Sequence, residues 1–459
     1  MKYYCLLLSF LWGFVFFVSG QERISVCNLR CEYLEDPVAV ENEKPLLSWQ
    51  LQSSGQAKSQ TAYRILVASS PSLLAEGKAD FWDSGKITSS RSSQVGYEGK
   101  PLDSRQTLYW KAMVWDEAGE ASPWSETGRW TMGLLEPSDW TARWIGNRED
   151  AYPDSTLTTP APYFRKTFRI NKPVKQAKAY ICGLGFYEMY LNGERVGDQV
   201  LAPAVTNFDR RSLKKMLYFF DDQSNQRVLY NTFDVTSLVQ KAENTVGVLL
   251  GNGWYNQRDR TVEGCMWYDT PRLLCQLEIE YTDGSTELVV TDDSWKTTTG
   301  PLLHDAIFTG EEYDARLELD GWNRNGYKDS SWKKALLVRA PKGSLHAQLA
   351  PHEKIIRILQ PVSCEQKDDS TYWYAFPEMI SAHIKVQGNA GDRIKLRFVG
   401  EEKNDFGQVD LYTLRGGGVE QWEPRFTWHT FRYIEVISRQ VRMNKESLVA
   451  KVVHTDPQP

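Results

Sequence analysis

Beyond residue 20 the sequence has no apolar run approaching the roughly 20 residues that a membrane-spanning helix needs. It also has no long stretch with apolar residues three and four apart, so no sustained amphipathic helix is expected. His-Glu-x-x-His, Gly-x-Ser-x-Gly, a phosphate-binding loop and Gly-x-Gly-x-x-Gly are all absent, which removes the commonest routes to metal-hydrolase and nucleotide chemistry. The six histidines, at 304, 346, 352, 383, 429 and 454, show no metal-ligand spacing. Cysteine is sparse, and the spacing of Cys27 and Cys31 is wrong for a zinc ribbon. Neither charge sign dominates: 54 basic residues face 59 acidic ones, a net −5. Nothing in that balance favours nucleic acid or an anionic membrane, so the expected partner is neutral.

What is present begins with a leader. Met1-Lys-Tyr-Tyr-Cys5 carries one positive charge, residues 6–18 are apolar apart from Ser9 and Gly13, and Ser19-Gly20 precedes the polar Gln21-Glu22-Arg23. This is the pattern of a secretory signal peptide over residues 1–20, and the expectation is a periplasmic or secreted protein. The sequence contains 41% hydrophobic residues and 17 tryptophans, which argues for packed globular domains. Residues 21–459 have room for two to four of them, at roughly 100 to 200 residues each. The cysteines read mainly as buried thiols, with a Cys265–Cys275 bridge as the exception to test.

Short alternating runs separated by turn residues fill the chain. Leu46-Leu-Ser-Trp-Gln-Leu51, Ala62-Tyr-Arg-Ile-Leu-Val-Ala68 and Thr107-Leu-Tyr-Trp-Lys-Ala-Met-Val-Trp115 indicate a first sandwich over residues 21–135, with Trp49, Trp110 and Trp115 in its core. A second sandwich is expected over 136–340, from Tyr163-Phe-Arg-Lys-Thr-Phe168, the Asn192-Gly193 hairpin, Thr245-Val-Gly-Val-Leu-Leu250 and the Asp283-Gly284 turn. One short helix is expected near Val235 to Lys241, capped by Thr236, and another near Ser72 to Glu76. A third sandwich over 341–459 includes Trp373-Tyr-Ala-Phe376, Arg393-Ile-Lys-Leu-Arg-Phe398 and a closing strand from Phe426 to Val436. Gly416, Gly417 and Gly418 allow a turn with positive φ before that strand. The fold class is all-β: three consecutive β-sandwich domains.

Three clusters carry candidate chemistry. Gly310-Glu-Glu-Tyr-Asp-Ala-Arg316 offers carboxylates for calcium or for an acid/base pair, against a solvated loop whose acids pair with Arg316. The loop is favoured, because an inverting glycosidase holds its two carboxyl groups about 6 to 9 Å apart across a cleft, which neighbours on one loop do not show. In Leu250-Gly-Asn-Gly-Trp-Tyr255, Asn252 suits sugar hydroxyls and Trp254 suits stacking on a pyranose, against a bulge that ends a strand with Trp254 as a core plug. Asp198, in Asn192-Gly-Glu-Arg-Val-Gly-Asp198, sits at a loop tip where its oxygens could meet a cation, against a plain turn.

Read together, these motifs resemble the N-terminal accessory region of bacterial α-L-rhamnosidases of glycoside hydrolase family 78. The resemblance also rests on Pro45-Leu-Leu-Ser-Trp49, Tyr63-Arg-Ile-Leu-Val-Ala-Ser-Ser70, Trp82-Asp-Ser-Gly85, Asp234-Val-Thr236 and Trp422-Glu-Pro-Arg-Phe-Thr427. It implies an immunoglobulin/fibronectin III-like domain, a jelly-roll-like domain and a concanavalin-like domain, leading in the family to an α/α barrel that hydrolyses terminal α-L-rhamnose with inversion. A twelve-helix barrel needs roughly 200 or more residues of helical period, and the all-β pattern leaves no room for one, so no catalytic residue is carried over. The resemblance further implies a rhamnose-containing polysaccharide or glycoside as partner, a separate catalytic domain, and no required cofactor. In some members the second domain is a calcium-assisted rhamnose-binding module, for which Asp198 (calcium), Asn252 and Trp254 (sugar) are the positions to test. The alternative is an exported glycan-binding or scaffold protein without catalysis. Two departures from the family pattern are Ala375-Phe-Pro-Glu-Met379 and His429-Thr430.

Overall fold

The computed structural model describes residues 24–53, 59–148, 160–209, 226–257, 268–377, 381–401 and 405–455. The leader and Cys265 lie outside them. The chain divides into two compact units, the first drawn from residues 24–37, 42–101 and 107–130, the second from residues 38–41, 102–106 and 131–455.

In the first unit, one sheet contains Ile24–Cys31, Leu46–Ser53 and Val95–Gly96, and the other is built on Gln60–Ala68 and Thr107–Asp116. Burial alternates strictly along Thr107–Asp116, the period-two signature of a strand with one face in a core. Trp110, Ala112 and Val114 share the buried face with Asp116. Trp115, five residues from Trp110, has the opposite parity and is half-buried, with the Lys86 ammonium 4.4 Å from its ring centroid. The expectation of Trp115 as a core residue is therefore corrected. Trp49 and Trp110 are in the core as expected, and Trp49 Nε1 donates to the buried Gln60 carbonyl at 3.0 Å.

The second unit holds two sandwiches. The first pairs a six-stranded sheet, including Phe186–Leu191, Ala242–Gly251 and Pro162–Ile170, with a seven-stranded sheet, including Val174–Leu184, Arg272–Tyr281 and Arg227–Asp234. Ile181, Met189, Val246, Leu277 and the fully buried Trp295 fill the space between. Asn192 and Gly193 have φ of 55° and 90°, which closes the expected two-residue hairpin between Leu191 and Glu194. In the other sandwich, a seven-stranded sheet centred on Asp405–Thr413, Arg393–Val399 and Tyr433–Ile437 faces Glu353–Leu359, Leu448–Thr455, Ser381–Gln387 and Val419–Trp422. Three strands cross between the expected regions. The Leu302–Ala306 and Gly310–Asp314 hairpin adds to the later sheet, pairing in parallel with Asp405–Thr413, and Ser344–Ala347 adds to the earlier one.

Helix among the described residues consists of single three-residue 3-10 turns, and no helix there is long and apolar enough to cross a membrane. Thr236 does not cap its turn, which spans Thr236–Leu238 behind Val235; its hydroxyl accepts the Ala177 N–H at 2.9 Å instead. The expected closing strand is shorter, at Tyr433–Ile437. Phe426, Thr427, His429 and Phe431 before it are all buried, so apolar residues there fill a core without a ladder. Cys275 is buried and has no disulfide partner among the described residues; Cys265, the other half of the expected bridge, lies outside them.

Parity on the Thr107–Asp116 strand gives a direct check by thermal or urea unfolding. Trp110→Ala should cost about 3–5 kcal/mol through its cavity. Trp115→Ala should cost no more than about 2 kcal/mol, the loss of partial burial and one cation–π contact.

Candidate functional site

The Glu311 carboxyl is 1% exposed, on a strand rather than the solvated loop that the sequence favours. Gly310 begins that strand at φ +107°, and a Cβ there would lie 2.1 Å from the Val409 carbonyl oxygen. This close backbone approach places the following residue between the sheets. Glu311 Oε2 accepts the backbone N–H groups of Arg425 (2.9 Å) and Phe426 (3.3 Å), while Oε1 has no partner among the described residues. The Glu311 N–H donates to Asp410 Oδ1 at 2.8 Å, and Asp410 Oδ2 lies 2.9 Å from His429 Nε2. His429 is buried and stacks on Phe398, with ring centroids 3.7 Å apart.

Burial pushes the Glu311 carboxyl well above the ordinary 4.5, against the pull of the Arg425 N–H, and the carboxylates of Asp410 and Asp305 add to the rise. Asp314 receives two hydrogen bonds from the Arg316 guanidinium, as the loop reading anticipated, whereas Glu312 pairs with Arg393 at 2.9 Å and not with Arg316.

Asn252 reaches the same network from the strand end at Gly251. Its N–H donates to Asp305 Oδ1 (2.6 Å), its Nδ2 to the Asp305 carbonyl (2.9 Å) and Oδ2 (3.1 Å), and its Oδ1 accepts from Asn256 (2.6 Å). The residue is buried and its amide is taken up within the protein. Trp254 is half-buried between two core clusters, edge-on to Phe308 at 5.7 Å. Asp198 is a separate matter: it is exposed and paired with Lys354 Nζ at 3.2 Å. Calcium takes six to eight oxygen ligands, and among the described residues no group of three or more His, Cys, Asp or Glu is arranged to hold a metal. One carboxylate beside an ammonium does not fit that cation.

A cleft of about 70 Å³ opens beside this network. Glu188 lies at its base, accepting Arg425 Nη1 and the Tyr190 hydroxyl, each at 2.7 Å, with Arg195 3.6 Å away. Burial alone would raise the Glu188 carboxyl, but the two guanidinium groups outweigh it and hold it below its ordinary range. Lys451 pairs with Glu423 across the mouth, and Trp428 stands 42% exposed at the rim. Fixed donors and acceptors beside an exposed indole suit vicinal hydroxyls and the C–H face of a sugar ring. The volume falls below the roughly 300–1,000 Å³ of a complete small-molecule site and leaves room only for the edge of a ligand. None of these residues was assigned to a site from sequence. Glu423 and Arg425 stand in the Trp422-Glu-Pro-Arg-Phe-Thr427 stretch that carries the family resemblance, and the alternation of charge and indole from there to Trp428 was the available signal.

The protonation of Glu311 can be read from stability against pH. A carboxyl raised on folding contributes fully below its unfolded value near 4.5, and this contribution is lost as pH rises toward the folded value. Glu311→Gln keeps an acceptor and removes the titration, so its Tm should fall less than wild type from pH 5 to pH 8. Glu311→Ala leaves two buried N–H groups unpaired and should lose about 1–3 kcal/mol at either pH. Equal pH slopes for wild type and Glu311→Gln would show an ionised Glu311.

Comparison with known proteins agrees with the fold. Three family models match: the Rha78A-like N-terminal immunoglobulin domain at residues 26–136, the alpha-L-rhamnosidase N-terminal domain at 172–219 and 220–357, and the bacterial alpha-L-rhamnosidase concanavalin-like domain at 378–454. An alpha-L-rhamnosidase of Formosa agariphila is 34% identical over 100% of this chain and 51% of its own length. One from Alteromonas sp. is 33% identical over 92% of this chain and 46% of its own. The solved alpha-L-rhamnosidase from Dictyoglumus thermophilum superposes with a TM-score of 0.84 at 35% identity, covering 94% of this chain and 49% of that one. The Streptomyces avermitilis enzyme complexed with L-rhamnose gives 0.84 at 25% identity, covering 94% and 57%. The chain thus spans about half the length of the curated relatives it matches, and it belongs to the α-L-rhamnosidases of glycoside hydrolase family 78, of which it carries the N-terminal region.

Proposed function

We propose that this chain is the accessory, sugar-engaging region of an exported α-L-rhamnosidase, and that hydrolysis belongs to sequence equivalent to the half of the relatives it does not span. The observation that carries this reading is the alignment of 100% of the chain to 51% of a rhamnosidase at 34% identity. The acids support it. Glu311 is sealed from solvent, Glu188 is neutralised by two arginines, and Glu312 and Asp314 each face an arginine. A pair of free carboxyls across a water-filled cleft is what inversion requires, and these four acids do not supply it. The ligand is a rhamnose-containing glycoside, held at its edge by Arg425, Glu423, Lys451 and Trp428. This part of the reading rests on the cleft's chemistry and on the L-rhamnose bound by the Streptomyces avermitilis relative.

The purified chain should release no aryl group from an aryl α-L-rhamnoside above the buffer rate. Clear turnover that vanishes on Glu311→Gln would overturn the assignment of hydrolysis elsewhere. Calorimetric titration with L-rhamnose should show millimolar binding that weakens roughly 2- to 10-fold in Trp428→Ala, the size of one aromatic contact. It should not change with calcium or in Asp198→Ala, and no heat from wild type would sink the sugar-binding part. Export rests on residues 1–20, so N-terminal sequencing of protein recovered from the periplasm or medium should begin at Gln21.

A further inference from the structure

The first unit carries a turn whose residue types do not suit its backbone. Cys31 and Leu34 exchange both backbone hydrogen bonds, at 2.9 and 3.0 Å, which makes Glu32 and Tyr33 the central pair of a two-residue hairpin. Their φ angles are 50° and 67°, as a type I′ turn requires, and such turns are ordinarily built from Asn-Gly or Asp-Gly. A bulky side chain at positive φ is strained and persists only where its surroundings over-determine it.

The fold accounts for one of the two residues. Glu32 Oε1 accepts the Leu46 N–H (2.8 Å) and the Asn42 amide (3.0 Å), so its side chain ties the turn to the neighbouring strand. Tyr33 does the opposite: it is 54% exposed, and its hydrogen bonds brace the residue without burying the ring. Gln94 Nε2 donates to its hydroxyl at 2.6 Å, and Arg30 Nη1 to its carbonyl at 3.2 Å. Gln94 itself has a φ of 53°, and its N–H donates to Ser48 Oγ at 3.1 Å. Two left-handed residues thus hold one exposed phenol in place.

The bracing leads onto the outer face of the three-stranded sheet. Leu47 and Trp49 are buried, so Ser48 and Gln50 have the outward parity, and Arg30 lies directly opposite Ser48. Asn28 Nδ2 donates to Gln50 Oε1 at 2.7 Å, which leaves each amide part of its hydrogen-bonding capacity.

We propose that Tyr33 is the stacking platform of a second sugar-binding surface, on the first unit, where Gln94, Ser48, Gln50 and Asn28 bond the hydroxyls of a rhamnose-containing glycan. An aromatic face takes the C–H face of a sugar ring, while amides and a hydroxyl match its hydroxyl groups. These neighbours suit hydroxyl recognition rather than the apolar core of a protein interface. The net charge of −5 gives no pull on a polyanion. The inference rests on the sugar-engaging reading above for its ligand, but the surface shares no residue with the cleft at Arg425 and Trp428, so the two can fail separately.

Saturation-transfer NMR of the full chain, with L-rhamnose as probe, tests it in a Trp428→Ala background that weakens the cleft. Transfer to the sugar's C–H and methyl protons should persist in Trp428→Ala and fall roughly 2- to 10-fold in Trp428→Ala/Tyr33→Gly, the size of one aromatic contact. Trp428→Ala/Tyr33→Phe keeps the ring face and should keep the transfer. Tyr33→Gly relieves the turn, so its Tm should equal or exceed that of wild type. A Tm lowered by Tyr33→Gly would make Tyr33 a structural residue and overturn the proposal. So would transfer abolished by Trp428→Ala alone, which leaves the cleft as the sugar site, or transfer that Tyr33→Gly does not diminish. Transfer lost with Tyr33→Gly and untouched by Trp428→Ala supports this surface and removes the cleft instead.

Discussion

The second unit depends on one buried carboxyl. Glu311 caps two backbone N–H groups at Arg425 and Phe426, and its own N–H is held by Asp410, which also engages His429. Because Gly310–Asp314 pairs with Asp405–Thr413 across about a hundred residues of chain, this cluster joins segments that no local preference would bring together. A buried polar group costs little when its partners are fixed and a great deal when they are not. The cluster therefore sets the register of the parallel pair and the path of residues 425–431. That path delivers Arg425 and Trp428 to the cleft.

Asn252 shows the same logic from the other sandwich. Its side chain and N–H both terminate on Asp305, whose strand partner is Glu311, so the end of the Ala242–Gly251 strand is bonded into the same acidic centre. Gly251 packs directly on the Phe426 ring, where a Cβ would lie 2.3 Å from Cγ. Residues that looked like a sugar site in the sequence are a joint between two sandwiches, and the requirement for Gly-Asn-Gly there is one of close approach. The arginine and indole that do reach solvent come from the segment that this joint positions.

Much of the fold was legible because it is local. The alternation of Thr107–Asp116 and the Asn192-Gly193 and Asp283-Gly284 hairpins follow from period two and from residues that tolerate positive φ. The parity separating Trp110 from Trp115 was also present in the sequence, and it places Trp115 off the core face. Two features were not legible. Strand patterning cannot say that 302–314 joins a sheet formed largely by residues after 360, since partner choice is non-local. Nor can it distinguish a buried glutamate from a solvated one. Glu311 and Glu312 are adjacent and chemically alike, and only the facing backbone at 425–426 decides which is enclosed.

Glu188 connects this interior to function. Its carboxylate is bonded to Arg425 and Tyr190 and stands near Arg195, so it holds the Arg425 guanidinium while Glu311 holds the same residue's backbone. A residue fixed at both ends keeps its donors in place before any ligand arrives, which lowers the ordering cost of binding. The cleft is small and is lined by Ile355, Lys451 and Val453 beside the arginine, so in the reading proposed above this preorganisation serves a ligand contacted on one side. The rigidity of that surface is inherited from the buried acid beneath it, because Glu311 fixes the backbone of the residue whose guanidinium Glu188 holds.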